Sequence, residues 1–356
     1  MNTKPVRIIQ VGVGGFGAVW LDVIRQSADV EMVGLVDINR ETAMQACRKH
    51  GWSEAIFFPT LVEALRSARA DAAVVVTPPA AHREPVVAAL EAGLDVISEK
   101  PMAETLTDCK AMVRAAQRTG RMYVVSQNYR YQPAMWTLAN VVRSGRLGRV
   151  GEVKLDFYLG MWFEGFRQQM EYPLVVDMAI HHFDLIRFIL GTDAVAVTAA
   201  GWNPPWSHYR HDCSCAALFE MASGARVIYN GSWCAKGQFC DWNGNWQIGC
   251  ERGTVLYQNG VITIHHAPER YEVTSTENVI VRPPPLEGQR YVLADFLRAR
   301  ANGHRAGTDC FDNIHSVAMV FATVEAMRTG RRVEVGDAET RQWSTGQEVR
   351  RWNESG

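Results

Sequence analysis

No apolar run in these 356 residues approaches the ~18 that a membrane span requires. An excess of one charge is missing too: 37 Lys and Arg stand against 38 Asp and Glu, a formal net charge of −1. So balanced a chain builds no broad positive field, which argues against nucleic acid or an anionic membrane as partner. The eight cysteines lack both the CxxC pairs of a zinc ribbon and the spacing of a disulfide framework. Cys213, Cys215, Cys234, Cys240 and Cys250 are therefore expected to be free thiols buried in a reduced protein. Repeats, low-complexity segments and a long linker are absent as well. Residues 1–10 enter a strand-like run directly, so no signal peptide is expected and the expected location is the cytoplasm. What remains is 47% hydrophobic and 21% charged, the balance of an ordinary globular protein, with length for two domains.

The first half alternates strand and helix. Residues 6–11 (VRIIQV) are apolar and rich in β-branched side chains, as in a strand buried on both faces of a parallel sheet. They run into Gly12-Val13-Gly14-Gly15-Phe16-Gly17, a helical stretch over 18–26, and a second strand over 31–36 that stops at Asp37. This is the dinucleotide fingerprint in its structural setting. Gly12 makes the tight turn, Gly14 lets backbone approach a pyrophosphate, and Gly17 lets helix and strand pack closely. The pyrophosphate is expected at the helix amino terminus, where free N–H groups favour an anion. Further strands are expected over 72–76, 94–98 and 122–126, with helices over 82–92 and 105–118. Strand and helix in alternation mean a doubly wound parallel sheet, which binds ligands beyond its carboxyl ends. The glycine turn, Asp37, Thr77-Pro78, Glu99-Lys100 and Gln127-Asn128 all fall there.

After residue 131 the pattern changes. A helix over 133–144 precedes strands over 150–158, 194–200, 214–220, 225–229, 246–249 and 261–266, interrupted by one long helix over 175–190. Strands joined without helices point to a mostly antiparallel sheet. A helix over 312–328, a short strand over 332–335 and a polar tail follow.

The glycine turn, Glu99-Lys100-Pro101 and Asp177-Met178-Ala179-Ile180-His181 together resemble the Gfo/Idh/MocA family, the glucose–fructose oxidoreductase and inositol 2-dehydrogenase group. The likeness runs nearly end to end, with GRLGRV at 145–150 and ERGT at 251–254 as further shared phrases. It implies an α/β protein: an N-terminal Rossmann domain over 1–127 and a C-terminal α+β domain over 128–356 for substrate and oligomerisation. It also implies NAD, with NADP as the alternative, a sugar, cyclitol or polyol substrate, and a homo-oligomer (dimer or tetramer) formed through the C-terminal sheet. Two departures concern the substrate pocket. Tyr172-Pro173-Leu174 stands where relatives often carry Gly-Gly, and Ala179 replaces the usual glycine of the Asp-x-Gly-x-His motif. Two rival functions share the fold: a redox-neutral NAD enzyme that cleaves glycosides, and a regulator that senses sugar or NAD without catalysis.

The resemblance puts catalysis on Lys100, Asp177 and His181. Cofactor contacts are expected from Gly12, Gly14, Gly15, Phe16 and Gly17, from Asp37, Ile38 and Arg40, from Thr77, Pro78 and His82, and from Glu99, Lys100 and Gln127. Substrate contacts are expected from Lys100, Asn128, Arg130, Tyr158, Trp162, Arg167, Asp177, His181 and His182, and no metal is expected. The chemistry has its own logic. Oxidising a secondary alcohol needs a base for the hydroxyl proton and a cation for the developing alkoxide. On a helix Asp177, His181 and Asp184 stand at i, i+4 and i+7 and share a face, so Asp177 is expected to orient the imidazole. His182 points about 100° away, a pocket wall or a packing residue.

Overall fold

The computed structural model describes residues 4–343, and the polar tail expected after 335 extends beyond them. The first sheet is six parallel strands: β1 (Val6–Val11), β2 (Val30–Val36), β3 (Phe57–Phe58), β4 (Ala72–Val75), β5 (Asp95–Ser98) and β6 (Tyr123–Val125), in the order β3-β2-β1-β4-β5-β6. The alternation within each strand explains its burial on both sides. Ile8, Leu35, Val74, Ile97 and Val124 pack on one face with Trp20 and Leu21 of α1 (Gly17–Arg25) and Met44 of α2 (Arg40–His50). Ile9, Val11, Ala73, Val75 and Val96 pack on the other with Val86 and Leu90 of α4 (Arg83–Glu91) and Met112 of α5 (Leu106–Thr119).

Two helices of this half were not expected from the periodicity, α2 and α3 (Leu61–Ser67). Each starts on a side-chain cap: Asn39 accepts from Thr42 N–H, and Thr60 accepts from Glu63 N–H. Gly51 ends α2 at φ +70°. Their apolar stripes are narrow, so the caps carry the signal that the periodicity does not.

In the second half, α6 (Pro133–Arg143) leads into β7 (Val150–Gly160). A short α7 (Phe166–Gln169) follows, then a π-helical turn over Leu174–Ala179 that runs into α8 (Ile180–Leu190). The remaining strands are β8 (Ala194–Trp202), β9 (Ser214–Met221), β10 (Arg226–Ser232), β11 (Cys234–Gln238), β12 (Asn245–Cys250), β13 (Gly253–Gln258), β14 (Val261–His266) and β15 (Ser275–Val279). Helices α9 (Gly288–Asn302) and α10 (Cys310–Thr329), strand β16 (Val333–Glu334) and helix α11 (Ala338–Gln342) complete the chain. The second sheet runs β15-β14-β13-β12-β7-β10-β9-β8-β16 with β11 beside β7, and only β7 and β10 are parallel neighbours. Val153, Leu155, Phe157, Phe219 and Val227 face the helices, whereas Glu152, Lys154, Thr198, Leu218 and Ile228 are exposed on the opposite face.

Strands β11, β13 and β15 and helix α9 were also not expected. Tyr291, Val292, Leu293 and Phe296 of α9 return to the first sheet and join the cluster around Ile8 and Trp20. All eight cysteines are free thiols, and all but Cys250 are buried.

Candidate active site

The carboxyl ends of β1, β2, β4, β5 and β6 bring together the glycine turn, Asp37, Thr77, Lys100 and Gln127. Gly12 takes φ +85°, and a Cβ there would meet the Val76 carbonyl oxygen at 2.5 Å, so only glycine fits. A Cβ on Gly17 would press into the Gly12 carbonyl, while nothing lies within 4 Å of that position on Gly15. The result is an open cradle at the start of α1. Its back is held by Gln10, whose amide Nε2 donates to the Gly12 and Gly17 carbonyls at 2.9 and 2.8 Å. Gln10 was missed, although an uncharged amide near the buried end of an apolar-rich strand was the visible signal.

Asp37 accepts from Val13 N–H at 2.9 Å and Asn39 N–H at 2.8 Å, joining the glycine turn to the start of α2. Ile38 and Phe16 are exposed at the same rim, and the Arg40 guanidinium lies over the Phe57 ring, 5.4 Å from its centroid. At the far end Gln127 is buried with neither amide atom hydrogen-bonded. Unpartnered buried amides and a glycine cradle are what a bound dinucleotide would complete, so the residues present fit NAD.

Lys100 links the end of β5 to the second half. Its Nζ donates to the backbone oxygen of Asp177 at 3.0 Å and to Oδ1 at 3.3 Å, and Arg167 Nε donates to Oδ2 at 2.6 Å. Burial pushes the Asp177 carboxyl up, but Lys100 and Arg167 outweigh it and hold it below the usual carboxylate range. His181 is buried and stacked on Tyr129, with ring centroids 4.0 Å apart, and its Nδ1 has no hydrogen-bond partner. Burial, then the Lys100 and His182 charges, push its imidazole well below the ordinary 6.5, while burial lifts the Tyr129 hydroxyl to about 12.

Several expectations need correction. The π turn winds the chain differently ahead of α8, and no hydrogen bond joins Asp177 to His181; Tyr129, next to the expected Asn128, holds the ring instead. Arg130, expected among the substrate contacts, is taken up by Asp184 instead. Arg130 is buried and donates to Asp184 twice at 2.6 Å, to Asp312 at 2.6 Å and to the Gly307 carbonyl. His182 is fully buried between Tyr229 Oη at 3.2 Å and the Trp242 carbonyl at 3.0 Å, which makes it a packing residue. Tyr158 sits beside Lys154, Asp156 and Asn230 on the sheet face turned away from α8, because alternation along β7 gives the inner face to Phe157. Trp162 is 70% exposed at the tip of its loop, stacked on His208.

Glu99 and His82 act behind the cofactor cleft. Both Glu99 oxygens are occupied, by Trp20 Nε1–H at 2.8 Å and Lys100 N–H at 3.1 Å, and burial raises the carboxyl. The His82 ring bridges the Thr77 carbonyl at 2.7 Å to those of Pro101 and Met102 at 3.1 Å, tying the two strand-end loops together. Trp20 was missed; its position on the buried face of α1 gave no polar signal.

Residues 6–127 match the family model described as the oxidoreductase family, NAD-binding Rossmann fold, and residues 135–256 match the GFO/IDH/MocA C-terminal domain. An uncharacterized protein of Sinorhizobium fredii is 29% identical over 92% of this chain and 95% of its own. D-apiose dehydrogenase of Paraburkholderia graminis is 26% identical over 92% of this chain and 89% of its own. Inositol 2-dehydrogenase of Paracoccus denitrificans is 26% identical over 90% and 95%. An oxidoreductase from Agrobacterium radiobacter, solved with NAD+, L-tartaric acid and magnesium, has the same fold. Its TM-score is 0.84 at 21% identity, covering 94% of this chain and 99% of that one.

Proposed function

The chain belongs to the Gfo/Idh/MocA oxidoreductase family, and we propose that it moves a hydride between nicotinamide and a secondary hydroxyl or keto carbon of a sugar, cyclitol or related derivative. The observation that carries this reading is the junction of Lys100, Asp177 and Arg167 at the carboxyl end of an NAD-binding sheet, with a buried, neutral His181 alongside. The dinucleotide would lie on the glycine cradle, with its ribose at Asp37 and its far end near Gln127 and Lys100; the nicotinamide supplies the hydride acceptor or donor.

The chain's own residues do the rest. In oxidation Lys100 presents its ammonium to the substrate oxygen and stabilises negative charge as the proton leaves. His181 takes that proton; an imidazole that begins neutral is a base from the outset. Asp177 keeps Lys100 and Arg167 in place and accepts hydrogen bonds from substrate hydroxyls. Asp37 favours the free ribose of NAD over a 2′-phosphate, and Arg40 at the same rim moderates that preference.

Residues 1–127 would serve the cofactor and 128–356 the substrate. A homo-oligomer would form through the open face of the second sheet, where Leu218 and Ile228 are exposed. The absence of any membrane-crossing helix among the described residues agrees with a cytoplasmic place. The test is a screen of sugars, cyclitols and keto-sugars with NAD(H) and NADP(H), read by nicotinamide absorbance. At least one pair should turn over with NAD preferred, and Lys100→Met should lower kcat by about 10²-fold or more. Turnover unaffected by Lys100→Met would overturn the assignment.

A further inference from the structure

The charges around Asp177 do not cancel. Two cationic side chains, Lys100 and Arg167, share a single carboxylate, and no second carboxylate pairs with either of them among the described residues. His181 is neutral at pH 7, and so is Tyr129. A further carboxylate, Asp241, acts on the Tyr129 hydroxyl and accepts from Tyr257 Oη–H and Asn243 N–H, with no ion pair to Lys100 or Arg167 among the described residues. The Glu99 carboxyl is turned toward Trp20 and the Lys100 amide, and burial favours its neutral form. Glu164, in the loop just before α7, makes no ion pair with Arg167 among the described residues. A bound nicotinamide in its oxidised form would add a further positive charge.

Arg167 is also built to offer what it has left. Its guanidinium is steadied over the Phe166 and Phe163 rings, 4.7 and 5.3 Å from their centroids. Only Nε is committed, to Asp177 Oδ2. Nη1 and Nη2 hydrogen-bond no other described residue, yet the side chain is only 37% exposed. A half-buried, pre-oriented guanidinium edge matches a carboxylate through paired N–H···O bonds, a geometry a Lys cannot reproduce. Because Arg167 and Lys100 bind the same carboxylate, one small molecule can reach both.

On that basis, and resting on the oxidoreductase reading above, we propose that the substrate is a sugar acid. Its carboxylate pairs with Arg167 Nη1 and Nη2, and its reacting hydroxyl lies against Lys100 and His181. The step balances: the C–H bond gives its electron pair and hydrogen to NAD+ as hydride, the hydroxyl proton passes to His181, and a keto acid and NADH result.

The test is calorimetric titration of the NADH-loaded protein, which cannot turn over an alcohol. The ligands are D-gluconate, D-galactonate, D-glucuronate and D-galacturonate, set against the neutral D-glucitol, D-galactitol, D-glucose and D-galactose. At least one acid should bind about 10–100-fold tighter than its neutral counterpart, the worth of a charged, bidentate pair. That ratio should shrink as salt rises. Arg167→Met should bring it within about threefold of unity, and Arg167→Lys should retain only part of it. An equal affinity for acid and neutral sugar, no binding of any acid, or a preference that survives Arg167→Met overturns the proposal. If Arg167→Met does not fold, as judged by its Tm, an unreduced ratio in Arg167→Lys has the same force. NADH fluorescence separates the two readings: failure to bind NADH removes the oxidoreductase assignment itself, whereas NADH binding with turnover of neutral sugars alone removes only the acid.

Discussion

Lys100 and Arg167 grip Asp177 from two sides, and the consequence falls on His181, which sits beside a cation with no carboxylate of its own. Protonating it means placing a charge in a buried site next to Lys100, so it stays neutral to well below pH 6.5. Oxidation needs the neutral form. The wild-type kcat should therefore be flat through neutral pH and fall only in acid, as the imidazole takes up a proton. His181→Ala should lower kcat by about 10²–10⁴-fold, remove that acid limb and leave NAD affinity intact. A kcat–pH profile still rising above pH 7 in wild type and unaltered in His181→Ala would transfer the base role to Lys100.

Two elements shape the site through backbone geometry. The first is the entry to α1, where Gly17 lies against the Gly12 carbonyl and Gln10 staples both. Gly17→Ala puts a methyl into backbone that cannot yield, so the turn must open. The expected cost is about 1–3 kcal/mol of stability and at least tenfold in NAD affinity. Denaturant melts and NADH fluorescence measure these, and an unchanged Kd would show that the cradle adapts. The second is the π turn over Leu174–Ala179 that carries Asp177, the kind of helix distortion often found at functional sites. Tyr172 opens it at φ +51°, a left-handed conformation that suits glycine, and Arg328 lies over its ring. Ala179 takes φ −66°, so the side chain that replaces a familial glycine fits without strain.

Across the molecule, a buried network of charges joins the helices of the second half. Arg130 binds both Asp184 of α8 and Asp312 of α10, Arg187 binds Asp312 from the other side, and Ser316 donates to Asp184 at 2.7 Å. Removing one member strands the others. Arg130→Met should cost about 3–5 kcal/mol in chemical unfolding while any protein that folds keeps its substrate preference. A loss under 1 kcal/mol with altered KM would return Arg130 to the substrate site. Stability should also follow buried histidines. Burial brings His315 down to about 4, so between pH 6.5 and 4 the unfolded chain gains a proton there that the folded one refuses. That contribution is intact above 6.5 and lost as pH falls toward 4. His182 acts in the same sense, while Asp309, raised to about 7 by burial, opposes them by binding its proton in the folded state. The comparison is thus with a variant: from pH 7 to 4, wild type should lose about 3 kcal/mol relative to His315→Gln. Parallel stability curves would disprove it.

Short-range pattern was enough to specify the parallel sheet, its ligand-binding end and the glycine cradle with Asp37. These depend on short-range rules: β-branched runs, glycine conformations, and residues placed at strand ends. The tertiary structure alone decided which face or partner each remaining side chain has. Arg130 reads as a ligand contact until Asp184 and Asp312, 54 and 182 positions away, are seen to claim it. Tyr158 and Phe157 are neighbours in sequence, yet the pleat of β7 sends them to opposite faces of the sheet. The regular helix expected over 175–190 predicts Asp177 against His181, and the π turn gives Asp177 to Lys100 and Arg167 instead. The reason is common to all three. Local pattern sets what an element is, but a polar side chain's partner is chosen by whichever complementary charge the folded chain brings within hydrogen-bonding distance.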